Sequence, residues 1–241
     1  MLSETNLQNA RTATSYLKAV RWLLAPLYVL MTLALYAAFL HTPTERIMGE
    51  VQRIFYFHVG AAWNAFLAFF VVFLASVFYL IKRHPFWDQL AVASAEVGVL
   101  FTTIVLVTGP IWAKPAWGTW WPSGDPRVMT TLVLWLIYVA YLILRTSLPE
   151  NDKKYRFCAV FGIIGFIDVP IVWMSIRWWR TIHPVVITSS GANLEPSMKQ
   201  ALWVAVVAFT ICYLTLTLLR ISMRLQERVL DELSQRAEIS S

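Results

Sequence analysis

The fold class the sequence predicts is an all-α polytopic membrane protein, a six-transmembrane-helix bundle, on three observations. Of the 241 residues, 58% are of hydrophobic type. Only 14% are charged, against roughly a quarter in soluble domains. The apolar residues also fall into six runs bounded by charge, at 22–40, 54–81, 90–112, 128–144, 157–176 and 201–219. A helix needs about 20 apolar residues to cross a hydrocarbon core of about 30 Å, and each run approaches or exceeds that length. The connections are too short to hold another domain, and there is no internal repeat or low-complexity tract. Residues 1–241 therefore read as one transmembrane domain, with a polar tail at 220–241.

Each element has its own justification. The first run follows a polar, basic stretch, exceeds the core of a signal peptide and lacks a small-residue cleavage site, so it is expected to be an uncleaved span. The second carries His58 about one turn from its start, and its small residues Gly60, Ala61, Ala65 and Ala68 suit close helix approach, with Asn64 expected to bond between helices. The third contains Glu96, read as reaching interfacial water. The fourth carries no charged residue. The fifth contains Asp168 and Pro170; proline removes a backbone donor, which predicts a kink, and Asp168 is read as a partner for the freed backbone groups, a proton or electron route being the alternative. The sixth leads into the basic tail.

Orientation follows from the basic residues, because cytoplasmic loops are enriched in lysine and arginine. The N-terminus, the second and fourth connections and the tail hold 13 of them: Arg11, Lys18, Arg21, Lys82, Arg83, Arg145, Lys153, Lys154, Arg156, Arg220, Arg224, Arg228 and Arg236. The remaining loops hold 7: Arg46, Arg53, Lys114, Arg127, Arg177, Arg180 and Lys199. Both termini are thus expected to be cytoplasmic. The net charge of +6 serves topology and implies no nucleic-acid partner. Cys158 and Cys212 lie in spans and there is no CxxC or CxxCH, so neither a disulfide framework nor a thiol-ligated metal is indicated.

The unusual segment is GPIWAKPAWGTWWPSGDPR, residues 109–127, in the third connection. Tryptophan collects at both membrane interfaces as an anchor, and such a belt should be roughly symmetric. Here Trp22 and Trp87 lie near the inner face, whereas Trp63, Trp112, Trp117, Trp120, Trp121, Trp178, Trp179 and Trp203 fall near the outer one, with Trp173 close by. Trp117, Trp120 and Trp121 stand at i, i+3 and i+4, between Pro115 and Pro122, which predicts a short interfacial helix with three indoles on one face. Two of the four histidines, His58 and His183, approach the same face from different spans. An indole shelf beside two imidazoles suits a large flat apolar ligand that carries iron, and haem is the obvious candidate. Its propionates need cations, and Lys114, Arg127, Arg177 and Arg180 are the nearest; the sequence does not choose among them.

FHVGAAW, VTGPIWAKPAWGTWW with a following DPR, and SIRWWRTIHP together resemble the haem-handling family of bacterial cytochrome c maturation, haem exporter protein C, with its tryptophan-rich WWD motif. The resemblance covers nearly the whole chain. It implies that His58 and His183 are the axial ligands of haem b. The implied platform is Trp117, Trp120 and Trp121 with Trp112, Trp178 and Trp179, and Asp125 is the motif acid. It also implies partners: a membrane-anchored haem chaperone that receives haem, the ATPase and membrane subunits of an ATP-binding-cassette (ABC) transporter complex, and a small single-span protein. The location implied is the bacterial inner membrane, with the haem site facing the periplasm, and the role is delivery rather than enzyme catalysis. After Trp121 the pattern departs: Pro122, Ser123 and Gly124 precede Asp125, one residue more than the family has and without its later tryptophan, which predicts a tight turn.

Two other function classes compete. A haem lyase or membrane oxidoreductase with such a loop would be longer and carry further intramembrane histidines, whereas this chain has 4 His in all. A haem permease would need pathway-lining charges across several spans, and beyond Glu96 and Asp168 there are few.

Overall fold

The computed structural model describes residues 3–46, 48–183, 187–188, 191–192 and 194–240. Seven α-helices carry the fold: α1 Glu4–Tyr36, α2 Ile54–Lys82, α3 Pro85–Trp117, α4 Pro126–Ser147, α5 Asp152–Phe166, α6 Asp168–Trp178 and α7 Pro196–Ser240. A two-residue antiparallel ladder, Ile187–Thr188 with Gly191–Ala192, is the sheet among the described residues. With α5 and α6 taken as one interrupted run, six helical runs are long and apolar enough to cross a membrane. The protein is a multi-pass helical bundle.

The helix starts follow from local chemistry. Ser3, His84, Asp125 and Asn151 each cap a helix by accepting a backbone N–H, satisfying donors the first turn leaves free. Pro85 and Pro126 occupy the first turns of α3 and α4, where the missing N–H costs nothing. The fifth run breaks at Ile167, between Phe166 and Asp168, three residues before Pro170. Proline cannot donate to the preceding turn, and the ladder yields there. The reading of Asp168 as partner to the freed backbone does not hold, because its Oδ2 is buried without a partner among the described residues.

Helix α2 lies at the centre, packed against α3, α5 and α7, while α1 pairs with α7 and α4 with α6. Ala61, Ala65, Ala68, Val72 and Ala75 form a buried seam along α2, against Ala91 and Ala95 of α3. Small side chains let these backbones approach, the usual solution where lipid is as apolar as the core. Ser94 Oγ donates to Ala68 O at 2.8 Å and fixes the antiparallel register of α2 and α3. Asn64 Nδ2 donates to Gly60 O at 2.9 Å and to Val206 O on α7 at 3.4 Å, the bond between helices that its sequence position predicts.

Two charge clusters tie helices together. Arg145 on α4 forms a two-pronged bond to Asp88 on α3, with both residues buried. Glu96 does not simply reach water: Arg220 Nε donates to it at 2.7 Å and Arg224 also bonds it, tying α3 to α7. The residues at 220–240, expected as a separate tail, continue α7 as helix. Near its end Glu232 accepts from Ser3 and Asn6, so the chain termini are held together.

No separate interfacial helix occurs at the tryptophan segment. Helix α3 continues through Pro110 and Pro115 to Trp117, and Gly118 then ends it at φ 76°, its N–H bonded to Lys114 O at 2.9 Å. A left-handed residue at this position is a natural helix stop. Residues 118–125 carry no helix. Trp120 and Trp121 therefore are not on a helical face with Trp117. The expected tight turn is present, with Asp125 N donating to Pro122 O at 2.9 Å.

Candidate functional site

One cavity, with roughly 1580 Å³ of empty space counting its open mouth, lies at the end of the bundle where α2 begins, α3 ends, α4 begins and α6 ends. His58 projects from the first turns of α2, and His183 follows α6. Both line this cavity. The wall includes Trp112 and Trp117 of α3, Trp120 and Trp121 of the following loop, Arg127 of α4 and Arg177 of α6, with Trp63 and Trp173 beneath. Trp63 and Trp173 meet edge to face at 6.3 Å, and Trp112 and Trp117 at 4.7 Å and 89°. Trp117 in turn presents itself to the His183 ring at 4.9 Å. These edge-to-face arrangements, favoured by the ring quadrupoles, make the wall stiff.

Each histidine is held by its Nδ1 edge. His58 Nδ1 stands 2.8 Å from Thr108 Oγ1 on α3, and His183 Nδ1 stands 2.9 Å from Asp125 Oδ1. Asp125 is almost fully buried and organises the whole corner. Its carboxylate accepts from the amides of Arg127 at 3.0 Å and Val128 at 3.2 Å, capping α4. It also accepts from Thr181 Oγ1 at 2.5 Å and Ile182 N at 3.1 Å, which pins the strand of chain after α6. Burial alone would raise the Asp125 carboxyl, but the Thr181 bond, the His183 ring and the two backbone amides outweigh it and hold the pKa below its ordinary value. Burial lowers the His183 pKa; Asp125 opposes and the nearby Arg127 adds to the lowering.

The basic residues sort themselves by position. Arg127 and Arg177 line the cavity, and neither guanidinium has a hydrogen bond or ion pair among the described residues. Lys114 Nζ instead donates to Gly118 O at 3.1 Å and serves the helix end, and Arg180 is not in the wall. Trp178 and Trp179 are also outside it, both exposed and packed on one another at 5.8 Å. The buried indole N–H of Trp112 has no partner among the described residues. Sequence reasoning passed over Thr108 and Thr181, and placed the floor residue Trp173 near the outer face without assigning it to the site; the only signal for Thr108 was a hydroxyl placed beside Gly109-Pro110 at the end of a span.

This donor set fits an iron porphyrin. Two imidazoles offer nitrogen ligands, the aromatic wall offers a flat apolar surface, and two unpaired guanidinium groups with an orphan indole N–H offer partners for acidic side arms. Among the described residues no group of three or more His, Cys, Asp and Glu side chains forms a bare-metal site.

Fold and site together define a polytopic helical membrane protein with a histidine- and tryptophan-lined cavity at one end of its bundle. Residues 4–236 match the family described as heme exporter protein C. The chain belongs to that family. It is 34% identical over 203 residues to heme exporter protein C of Bradyrhizobium diazoefficiens, covering 83% of this chain and 76% of the relative. Against heme exporter protein C of Escherichia coli strain K12 the identity is 31% over 201 residues, 83% of this chain and 81% of the relative. A putative cytochrome c biosynthesis ccmC-like mitochondrial protein of Marchantia polymorpha is 33% identical over 183 residues, 76% of this chain and 77% of its own. Membership implies a part in haem handling for cytochrome c maturation, as a transport or delivery component.

Proposed function

We propose that this protein holds haem b between His58 and His183 at the outer face of the bacterial inner membrane and delivers it to a membrane-anchored haem chaperone. The observation that carries the reading is that two imidazoles, one from α2 and one from the chain after α6, line one indole-walled cavity, each gripped at Nδ1 and so presenting Nε2. Metal-bound histidine is usually oriented in this way, by a hydrogen bond on its other nitrogen. Arg127 and Arg177 are the cations assigned to the propionates, and Trp112, Trp117, Trp120 and Trp121 form the platform. A cavity with an open mouth suits a site that takes up a ligand and gives it away. Both termini face the cytoplasm in this arrangement, on the positive-inside argument. The chain works beside the ATPase and membrane subunits of an ABC transporter complex and a small single-span protein.

The test is the absorption spectrum of the protein purified in detergent and supplied with haem. Bis-imidazole bands that are lost in His58→Ala or His183→Ala, with the bundle still folded, support the proposal. A wild-type protein that never takes up haem would refute it and favour a permease, whereas thioether formation on an added apocytochrome would favour a lyase.

A further inference from the structure

We propose that Thr108 is the positioning residue of His58: its hydroxyl accepts the Nδ1 proton of the imidazole and so leaves Nε2, the nitrogen on the opposite edge, as the iron ligand. The inference rests on the proposed haem site and deepens it. A threonine hydroxyl has one proton and two lone pairs. Thr108 Oγ1 donates that proton to Ile104 O one turn back on α3 at 2.7 Å, with Val105 O at 3.4 Å. With its proton placed there, the hydroxyl at 2.8 Å from His58 Nδ1 acts as the acceptor. The proton between them belongs to the ring, and a neutral imidazole with a proton on Nδ1 has its lone pair on Nε2.

The placement follows from helix register rather than from neighbours in sequence. Ser94–Ala68 and His58–Thr108 are two contacts of the one antiparallel α2–α3 pair. Gly109 lies beside the same ring: a Cβ there would stand 3.6 Å from His58 Cε1, an ordinary van der Waals contact. The two ligands are thus oriented by unlike groups. His183 leans on the carboxylate of Asp125, whereas His58 leans on a neutral hydroxyl.

The experiment is nitrogen-15 NMR of histidine-labelled, haem-free protein in lipid nanodiscs, followed by haem titration of the same samples. Wild type and Thr108→Ser are expected to show a His58 ring protonated at Nδ1. Thr108→Val, which keeps the shape and loses the acceptor, is expected to populate the Nε2-protonated form. Its haem should bind about 10- to 100-fold more weakly and lose low-spin six-coordinate character, the usual scale for removing a ligand's orienting partner. A wild-type His58 protonated at Nε2 overturns the proposal, as does a Val variant with unchanged nitrogen shifts. The nitrogen readout needs no haem, so a protein that binds none would overturn the proposed function while the wild-type spectrum still decides the role of Thr108.

Discussion

Asp125 is the single side chain whose loss should be felt at both the fold and the ligand. Its carboxylate accepts from two amides of α4, from Thr181 and Ile182 beyond α6, and from His183, all within 3.2 Å. In Asp125→Asn the amide oxygen can keep the Oδ1 partners, which are His183 and the α4 amides. The NH2 then faces Thr181, whose hydroxyl can turn to accept, and the Ile182 N–H, which cannot. One donor–donor conflict results, and a buried unsatisfied donor costs about 1–3 kcal/mol. Asp125→Ala removes every bond. Losing the N-cap alone costs about 1 kcal/mol, and the freed strand of chain no longer holds His183 against the Trp117 edge. Haem affinity is expected to fall about 10- to 100-fold in Asn, the scale for an orienting partner of a ligand histidine, and further in Ala, with a lower melting temperature in both. Haem titration followed by absorbance, paired with a thermal melt in detergent, reads the two effects separately. An Ala variant with wild-type affinity and an intact low-spin spectrum would refute the reasoning.

Two further outcomes are expected. Trp117→Ala, which removes the indole lying between Trp112 and His183, should weaken haem retention about tenfold or more, since aromatic pairs contribute about 0.5–1.5 kcal/mol beyond the area they bury. Trp178→Ala and Trp179→Ala should leave retention unchanged, and comparable losses at all three positions in a competition assay would contradict the assignment of the wall. The pH dependence has a definite sign. Burial holds the folded pKa of His183 below the ordinary imidazole value. The neutral ring is thus favoured by the fold, so its contribution is complete above the unfolded pKa and declines as pH falls through it toward the folded value. The NMR titration of His183 in haem-free protein should have its midpoint below 6.5, and Asp125→Asn should move it lower still, because the carboxylate supports the charged ring. A midpoint that rises in the variant would contradict this.

Much of the architecture was legible because the bilayer imposes a simple rule. Runs of apolar residues must be helices where no water can satisfy the backbone, and six such runs are present. His58, His183 and the indoles stood out by type and by the end of the span they occupied. Other features were misread for a common reason, which is that polar groups choose partners across helices. Glu96 looked like a residue reaching for water, yet Arg220 and Arg224 lie far along the chain and one helix away. Lys114 looked equivalent to Arg127, but one closes its own helix end while the other enters the cavity. The i, i+3, i+4 spacing of Trp117, Trp120 and Trp121 suggested a helix that Gly118 terminates at its first member.

By itself the sequence determined the number and apolar character of the spans, the break near Pro170, and which residue types could meet a flat iron-bearing ligand. These are properties of short segments, governed by local backbone preference and by the cost of leaving polar groups in lipid. Only the tertiary structure decided that Thr108 faces His58, that Asp125 joins α4 to His183, and that two of the four candidate cations, both arginines, enter the cavity. Those pairings depend on the register at which separate helices lock together, and that register is set by the close packing of small side chains along α2, where a shift of one residue would turn every partner away.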